Sequence, residues 1–272
     1  MELRNAGKSD IRLPVVGMGT WLTFDVSGKE DQSARRELVD QALRCSVRLF
    51  DTSPMYGEAE RVLGASLIGN RERAFVATKV WSHDAREGHA QIDRALHYFD
   101  GHVDLYQVHN LVAWREYLPV FERMKANGTI RLSGITHYLR AAFPEMARIM
   151  SDEAIDAIQI PYNALNRAVE QQLLPLAAEL GLAVIVMQPL GAGDLVAAEP
   201  PASELRRFAT FGCVTWAQAL LKWVLSDTRV TAVIPATQDS AHLLLNAAAG
   251  DPPWFGAAER EAVVRLAEMY CR

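Results

Sequence analysis

Asp51, Lys79 and His109 each close a short apolar run, and Tyr56 lies in the turn that follows the first of them. The runs are Arg48-Leu49-Phe50-Asp51, Phe75-Val76-Ala77-Thr78-Lys79 and Val103-Asp104-Leu105-Tyr106-Gln107-Val108-His109. A titratable group is costly to place at the end of a buried strand. Three of them there, with a tyrosine close by, point to one polar site at one end of a sheet. A phenol ordinarily loses its proton near pH 10 and is alone a poor acid-base group at neutral pH. A neighbouring ammonium favours the phenolate and lowers that value. Lys79 can play that part, with Asp51 holding it through a charge-assisted hydrogen bond. His109 can orient a carbonyl or join a proton relay. Such a set suits protonation of a carbonyl oxygen as a hydride reaches the carbon. Singly, an aspartate after a strand is a turn or cap residue and a strand-end histidine a structural one. The four in this order point to an enzyme.

Elements must hold these groups together. Eight strand-like runs, short and rich in Val and Ile, cover 15–19, 48–51, 75–79, 103–109, 130–135, 155–160, 183–187 and 230–234. Such runs suit strands covered on both faces. Helical patterns lie between them at 31–46, 58–68, 90–99, 114–126, 139–150, 168–180 and 214–225, and a final helix covers 257–270. Gly128 and Gly181 stand where helix C-caps belong. Eight strand–helix alternations imply an α/β chain folded as a (β/α)8 TIM barrel, a single domain over 1–272. A doubly wound open sheet is disfavoured, because no Gly-x-Gly-x-x-Gly turn follows any strand. Two short runs around the turn-rich stretch 5–9 suggest an N-terminal β-hairpin closing the bottom of the barrel. Residues 199–202 read as a loop after the seventh strand.

Half of the 272 residues are apolar and 22% are charged, enough for a large core. The net charge of −5 argues against nucleic acid as the main partner. Cys45, Cys213 and Cys271 show no metal or disulfide pattern, and no metal site is expected. Without an apolar signal core or a run long enough to span a membrane, a cytoplasmic protein is expected, a monomer or weak homo-oligomer.

Five motifs carry a resemblance: Gly17-Met18-Gly19-Thr20-Trp21, Phe50-Asp51-Thr52-Ser53-Pro54-Met55-Tyr56-Gly57, Ala77-Thr78-Lys79, Asp104-Leu105-Tyr106-Gln107-Val108-His109 and Gln188-Pro189-Leu190-Gly191. In this order the chain resembles the aldo-keto reductases from about Leu3 to Asn246. The resemblance implies NAD(P)H-dependent reduction of a small aldehyde or ketone to an alcohol. Tyr56 would be the general acid, assisted by Asp51, Lys79 and His109. NADPH is the family default, with NADH possible, bound without a Rossmann fold. Gly19, Thr20, Asp51, Thr136, His137, Gln159, Met187 and Gln188 would surround its nicotinamide end. Leu190, Gly191 and Gly193 would follow its pyrophosphate, and Ala236, Thr237, His242 and Asn246 its adenosine. Trp21, Met55 and Trp81, with Tyr56 and His109, would line the substrate pocket.

The chain also departs from the family pattern. Thr136-His137 replaces the usual Ser-Asn, and a histidine suits a carboxamide only in the right tautomer. Met187 stands where an aromatic residue often stacks on the nicotinamide; its soft sulfur packs less rigidly. Ala236, Thr237 and His242 replace the Lys-Ser pair and Arg that often hold the 2′-phosphate, so NADH use is a real alternative. These losses motivate a second reading, a nicotinamide-binding sensor or accessory subunit with vestigial catalysis. Trp216 and Trp223 read as packing residues, and Arg35-Arg36 as a solvated helix face.

Overall fold

The computed structural model describes residues 1–271. Strands β1 (Leu3–Asn5) and β2 (Arg12–Pro14) form an antiparallel hairpin. Eight parallel strands follow: β3 (Met18–Gly19), β4 (Leu49–Asp51), β5 (Phe75–Val80), β6 (Val103–His109), β7 (Ile130–Thr136), β8 (Ala157–Pro161), β9 (Ala183–Met187) and β10 (Ala232–Val233). They lie side by side in chain order, and the bridges Val16–Val233 and Gly19–Ala236 bring the first against the last. The result is the expected (β/α)8 barrel. Around it run α1 (Lys29–Arg44), α2 (Ala59–Ser66), α3 (Ala85–Tyr98), α4 (Trp114–Ala126), α5 (Phe143–Asp152), α6 (Leu173–Leu180), α7 (Ala202–Leu205), α8 (Trp216–Leu225), α9 (Ser240–Ala248) and α10 (Ala257–Tyr270).

Side-chain alternation along the strands divides the core in two. One set of residues, Leu49, Phe75, Ala77, Leu105, Leu132, Ala157, Ala183, Ile185, Ala232 and Ile234, fills the barrel interior. The alternate set, including Phe50, Val76, Tyr106, Val108, Ile158 and Val184, packs under the helices. Ala6 and Leu13 of the hairpin join the interior set. Gly7 reaches so close beneath the barrel that a Cβ there would stand 2.4 Å from the Gly181 carbonyl oxygen. The hairpin is therefore the bottom plug, and the C-terminal ends of the strands form the open face.

Differences from the sequence reading have local causes. Pro175 would clash with the carbonyl one turn back, so 168–180 is not one helix: a short turn covers 168–170 and α6 begins at Leu173. Pro144, at the start of α5, likewise leaves 140–142 as a separate turn. Helix α9 carries three consecutive leucines, which hide its period. The expected loop at 199–202 runs directly into α7. Arg35 is buried rather than solvated, and donates to the Thr23 carbonyl and to Gln238. Gly128 and Gly181 take the left-handed conformation after α4 and α6, and Trp216 and Trp223 are buried packing residues. Among the described residues, no single helix is long and apolar enough to cross a membrane.

Candidate active site

The alternation that fills the barrel with apolar groups turns polar at the open face. Asp51, Lys79, His109, Thr136 and Gln159 continue the inward rows of β4 to β8, and His109, Thr136 and Gln159 pair in register across β6, β7 and β8. Lys79 is fully buried, and its ammonium has three acceptors for three N–H bonds. Asp51 Oδ1 and Oδ2 lie at 2.9 and 2.7 Å, and the Thr52 carbonyl at 2.7 Å. Gln159 Nε2 donates to Asp51 Oδ1 at 2.7 Å, and Thr136 Oγ1 donates to Gln159 Oε1 at 3.2 Å. One hydrogen-bonded chain thus runs from Thr136 across the barrel to Lys79.

Tyr56 and His109 stand over this buried pair. Their rings meet edge to face at 6.0 Å, and Lys79 Nζ lies 5.3 Å from the phenol ring centre. Burial works against the Lys79 ammonium, but Asp51 and Tyr56 outweigh it and raise its pKa. For Tyr56 the balance differs from the sequence expectation. Lys79 does pull the phenol pKa down, yet burial, helped by the Asp51 charge, leaves it above the ordinary value. The phenol therefore keeps its proton at neutral pH. Burial, with Lys79 and His137 adding to it, pushes the His109 pKa down to about 3, so the imidazole is neutral. Ser53 Oγ accepts from the Met55 N–H and lies 2.9 Å from His109 Nδ1. We assign the Ser53 proton to that bond, which leaves the imidazole proton on Nε2.

Trp21, Met55 and Trp81 are 44%, 44% and 39% exposed, large apolar groups left open in the loops after β3, β4 and β5. Gln91 of α3 clasps Trp81 by its backbone, accepting from its N–H at 2.8 Å and donating to its carbonyl at 2.9 Å. Backbone strain gathers on the same face. Leu22, Asn110, Leu111, Ala113, Gln188 and Ala192, in loops after β3, β6 and β9, all take positive φ, and such residues cluster at functional sites.

A profile of the Aldo/keto reductase family matches residues 15–254. The chain belongs to the aldo/keto reductase family. It is 32% identical over 251 residues to a methylglyoxal reductase of Escherichia coli, covering 88% of this chain and 86% of that one. It is 27% identical over 226 residues to an NADH-specific methylglyoxal reductase of the same organism, covering 70% and 67%. An aldo-keto reductase from Bacillus halodurans in its holo form shares the fold with a TM-score of 0.81 at 23% identity, over 98% and 96% of the two chains. One from Klebsiella pneumoniae in complex with NADPH shares it with a TM-score of 0.80 at 24% identity, over 94% and 91%.

An aldo/keto reductase needs a face for a nicotinamide dinucleotide, and several features of the open end fit one. Thr20 is fully buried beside Asp51, and its Oγ1 has no partner among the described residues. A buried hydroxyl left without a partner is costly, and a ligand oxygen or amide would satisfy it. His137 Nδ1 accepts from the Leu139 N–H at 3.0 Å, which we read as leaving a donor at Nε2, the tautomer that suits a carboxamide oxygen. Met187 is half-buried at the top of β9. The Gln188 carbonyl is held by Asn163 Nδ2 at 3.0 Å, and beyond it Leu190, Gly191 and Gly193 form an open turn. Gly193 has no atom within 4 Å of where a Cβ would stand, so a ligand can approach the backbone there.

The four residues expected around the adenosine include no lysine or arginine to hold a 2′-phosphate. Ala236 and Thr237 follow β10, Asn246 is buried in α9, and His242 is exposed on the first turn of α9. Asp239 caps that helix, accepting from the N–H groups of Ala241 at 2.7 Å and His242 at 3.0 Å. Those hydrogen bonds lower its pKa, so a fixed carboxylate occupies the positive end of α9.

Sequence reasoning passed over Ser53, Glu60, Gln91, Gln107 and Asn163. Gln107 is fully buried beside Lys79 in the β5–β6 register, with neither amide atom partnered. Glu60 carried a readable signal: it shares a helical face with Leu63 and Leu67, where a carboxylate does not belong without a reason.

Proposed function

We propose that this aldo/keto reductase reduces a small aldehyde or ketone with Tyr56 as the general acid. The observation that carries the reading is the phenol of Tyr56, kept protonated by burial beside a fixed ammonium. A bound nicotinamide dinucleotide supplies the hydride. The protein supplies the rest. His109 Nε2–H donates to the carbonyl oxygen and points it at the phenol. Tyr56 passes its proton to that oxygen as negative charge develops there. Lys79 then faces the phenolate and stabilises it, while Asp51 and the Thr52 carbonyl keep the ammonium from turning away. Gln159 and Thr136 hold Asp51 in turn. Such preorganised charge is worth most in a site shielded from water.

Methylglyoxal is the first carbonyl to test, because the 32%-identical E. coli relative is a reductase of it. Trp21, Met55 and Trp81 offer an apolar rim that also suits larger aldehydes. The test is Tyr56→Phe. Single-turnover reduction falls about 10²–10⁴-fold, the usual worth of a positioned acid. Dinucleotide binding, followed by tryptophan fluorescence, stays within a factor of about two of wild type. Turnover unchanged in this variant would end the role given to Tyr56. Tight dinucleotide binding without hydride transfer in the wild type would favour the sensor reading instead.

A further inference from the structure

Glu60 is a carboxyl buried behind β5 that the mechanism above does not use. It lies on the first turn of α2, one turn beyond Tyr56, and is 6% exposed. Its Oε1 accepts from Thr78 Oγ1 at 2.5 Å. Thr78 is fully buried and directly precedes Lys79, so alternation points the two side chains to opposite faces of β5. The bond therefore joins the segment that carries Tyr56 to the strand that carries Lys79. Tyr106 pairs with Thr78 in the β5–β6 register and shares its face; its phenol oxygen is buried without a partner. The groups felt at Glu60 are Lys79 from β5 and Arg94 from α3. Tyr106 on β6 in turn feels Glu60, Arg94 and Asp93. Arg36 of α1 is committed to the carbonyls of Ala65 and Ile68.

We propose that Glu60 is a positioning residue for the reduction: it ties Tyr56 to Lys79 through Thr78, and its charge sets how long Tyr56 holds its proton as pH rises. The proposal rests on Tyr56 being the acid. Burial pushes the Glu60 pKa up to about 7, against the pull of the Thr78 hydroxyl, Lys79 and Arg94. Below that pH the carboxyl is neutral. Above it, a carboxylate on the far face of β5 offsets part of the Lys79 charge that pulls on the phenol. Ionised Glu60 thus keeps Tyr56 protonated to higher pH.

The experiment uses Glu60→Gln and Thr78→Val in the full chain. Glutamine keeps an acceptor for Thr78 and removes the charge. Valine keeps the carboxyl and removes its donor. The first readout is the carboxyl-carbon resonance of Glu60 in protein carrying 13C-labelled glutamate, identified by its loss in Glu60→Gln. We expect it to titrate near pH 7, and at higher pH in Thr78→Val. The second is single-turnover reduction of methylglyoxal against pH. Glu60→Gln should match wild type below about pH 6 and fall ~3–10-fold behind above about pH 10, where the phenol loses its proton, a shift of half to one pH unit in the phenol. Superimposable pH profiles, or a carboxyl that titrates in the ordinary carboxylate range, overturn the proposal. If Glu60→Gln does not fold, Thr78→Val decides: an unmoved inflection overturns the proposal and an upward one supports it. A wild type inert at every pH, with the resonance still titrating near 7, overturns the reductase reading and this role with it, while the buried carboxyl stands.

Discussion

Gln159 Nε2 donates to Asp51 Oδ1 at 2.7 Å, so the carboxylate that holds Lys79 is itself held from the far wall of the barrel. Strands β4 and β8 lie four places apart in the eight-stranded ring, and this contact spans the ring between them. The site behaves as one hydrogen-bonded unit, and cutting it at different points has different consequences.

Removing the charge of Asp51 leaves a buried ammonium without its counter-ion. We expect Asp51→Asn to destabilise the fold by about 3–5 kcal/mol, the usual result of breaking a buried pair on one side. Gln159→Ala leaves the pair intact and removes two buried hydrogen bonds, to Asp51 and from Thr136, at a cost of about 1–3 kcal/mol. Urea unfolding of both variants checks the order. Equal stability of Asp51→Asn and wild type would contradict the pairing.

His109 sets a pH dependence of known sign. Its folded pKa, about 3, lies below the ordinary imidazole value of 6.5. Between these values the unfolded chain holds a proton that the folded chain does not. The stability from keeping the imidazole neutral is therefore complete above pH 6.5 and is lost as pH falls toward 3. His109→Gln should flatten that part of the stability curve. By NMR the wild-type ring should show no titration above pH 5, and an inflection near 6.5 would refute its burial as a neutral group.

Ser53 fixes which nitrogen of His109 carries the proton. Ser53→Ala frees the ring to take the other tautomer, which presents a lone pair where a donor is wanted. The reduction step should slow about 5–10-fold, the worth of one ordinary hydrogen bond. Dinucleotide affinity should not change; stopped-flow and fluorescence titration separate the two.

Gln91 clasps the backbone of Trp81 and touches no reacting group. Gln91→Ala should loosen that wall and raise KM several-fold at nearly constant kcat, the signature of lost uniform binding. A fall in kcat alone would mean that Trp81 acts on the chemistry rather than on substrate fit.

Asp239 bears on the choice of dinucleotide. A carboxylate at the start of α9 repels a 2′-phosphate and can accept from a ribose hydroxyl. NADH should bind at least as tightly as NADPH, and Asp239→Ser should raise NADPH affinity about tenfold relative to NADH, the effect of removing one close like charge. Equal ratios for variant and wild type, measured by fluorescence titration, would place the adenosine elsewhere.

The barrel and its site were legible where chemistry and period coincide. Asp51, Lys79 and His109 end strands whose apolar alternation cannot be mistaken, and the loop bearing Tyr56 follows one of them. Helix α9 was not legible, because Leu243, Leu244 and Leu245 erase the contrast between its faces. Ser53 and Gln91 meet partners remote in sequence, at His109 and Trp81, that no local pattern announces, and the apolar face that marks Glu60 does not name Thr78 as its partner. The direction of the Tyr56 shift depends on how burial weighs against Lys79, and burial is a property of the folded chain.

A protein that handles aldehydes must also survive them. Free amines condense with aldehydes to Schiff bases, and the reaction needs an unprotonated nitrogen lone pair. Lys79 offers none: its pKa is raised, all three of its N–H bonds are committed, and no part of it reaches the surface. The contacts that hold its charge beside Tyr56 also make it inert toward aldehydes. Lys8 and Lys29, exposed on the surface, would be modified long before it.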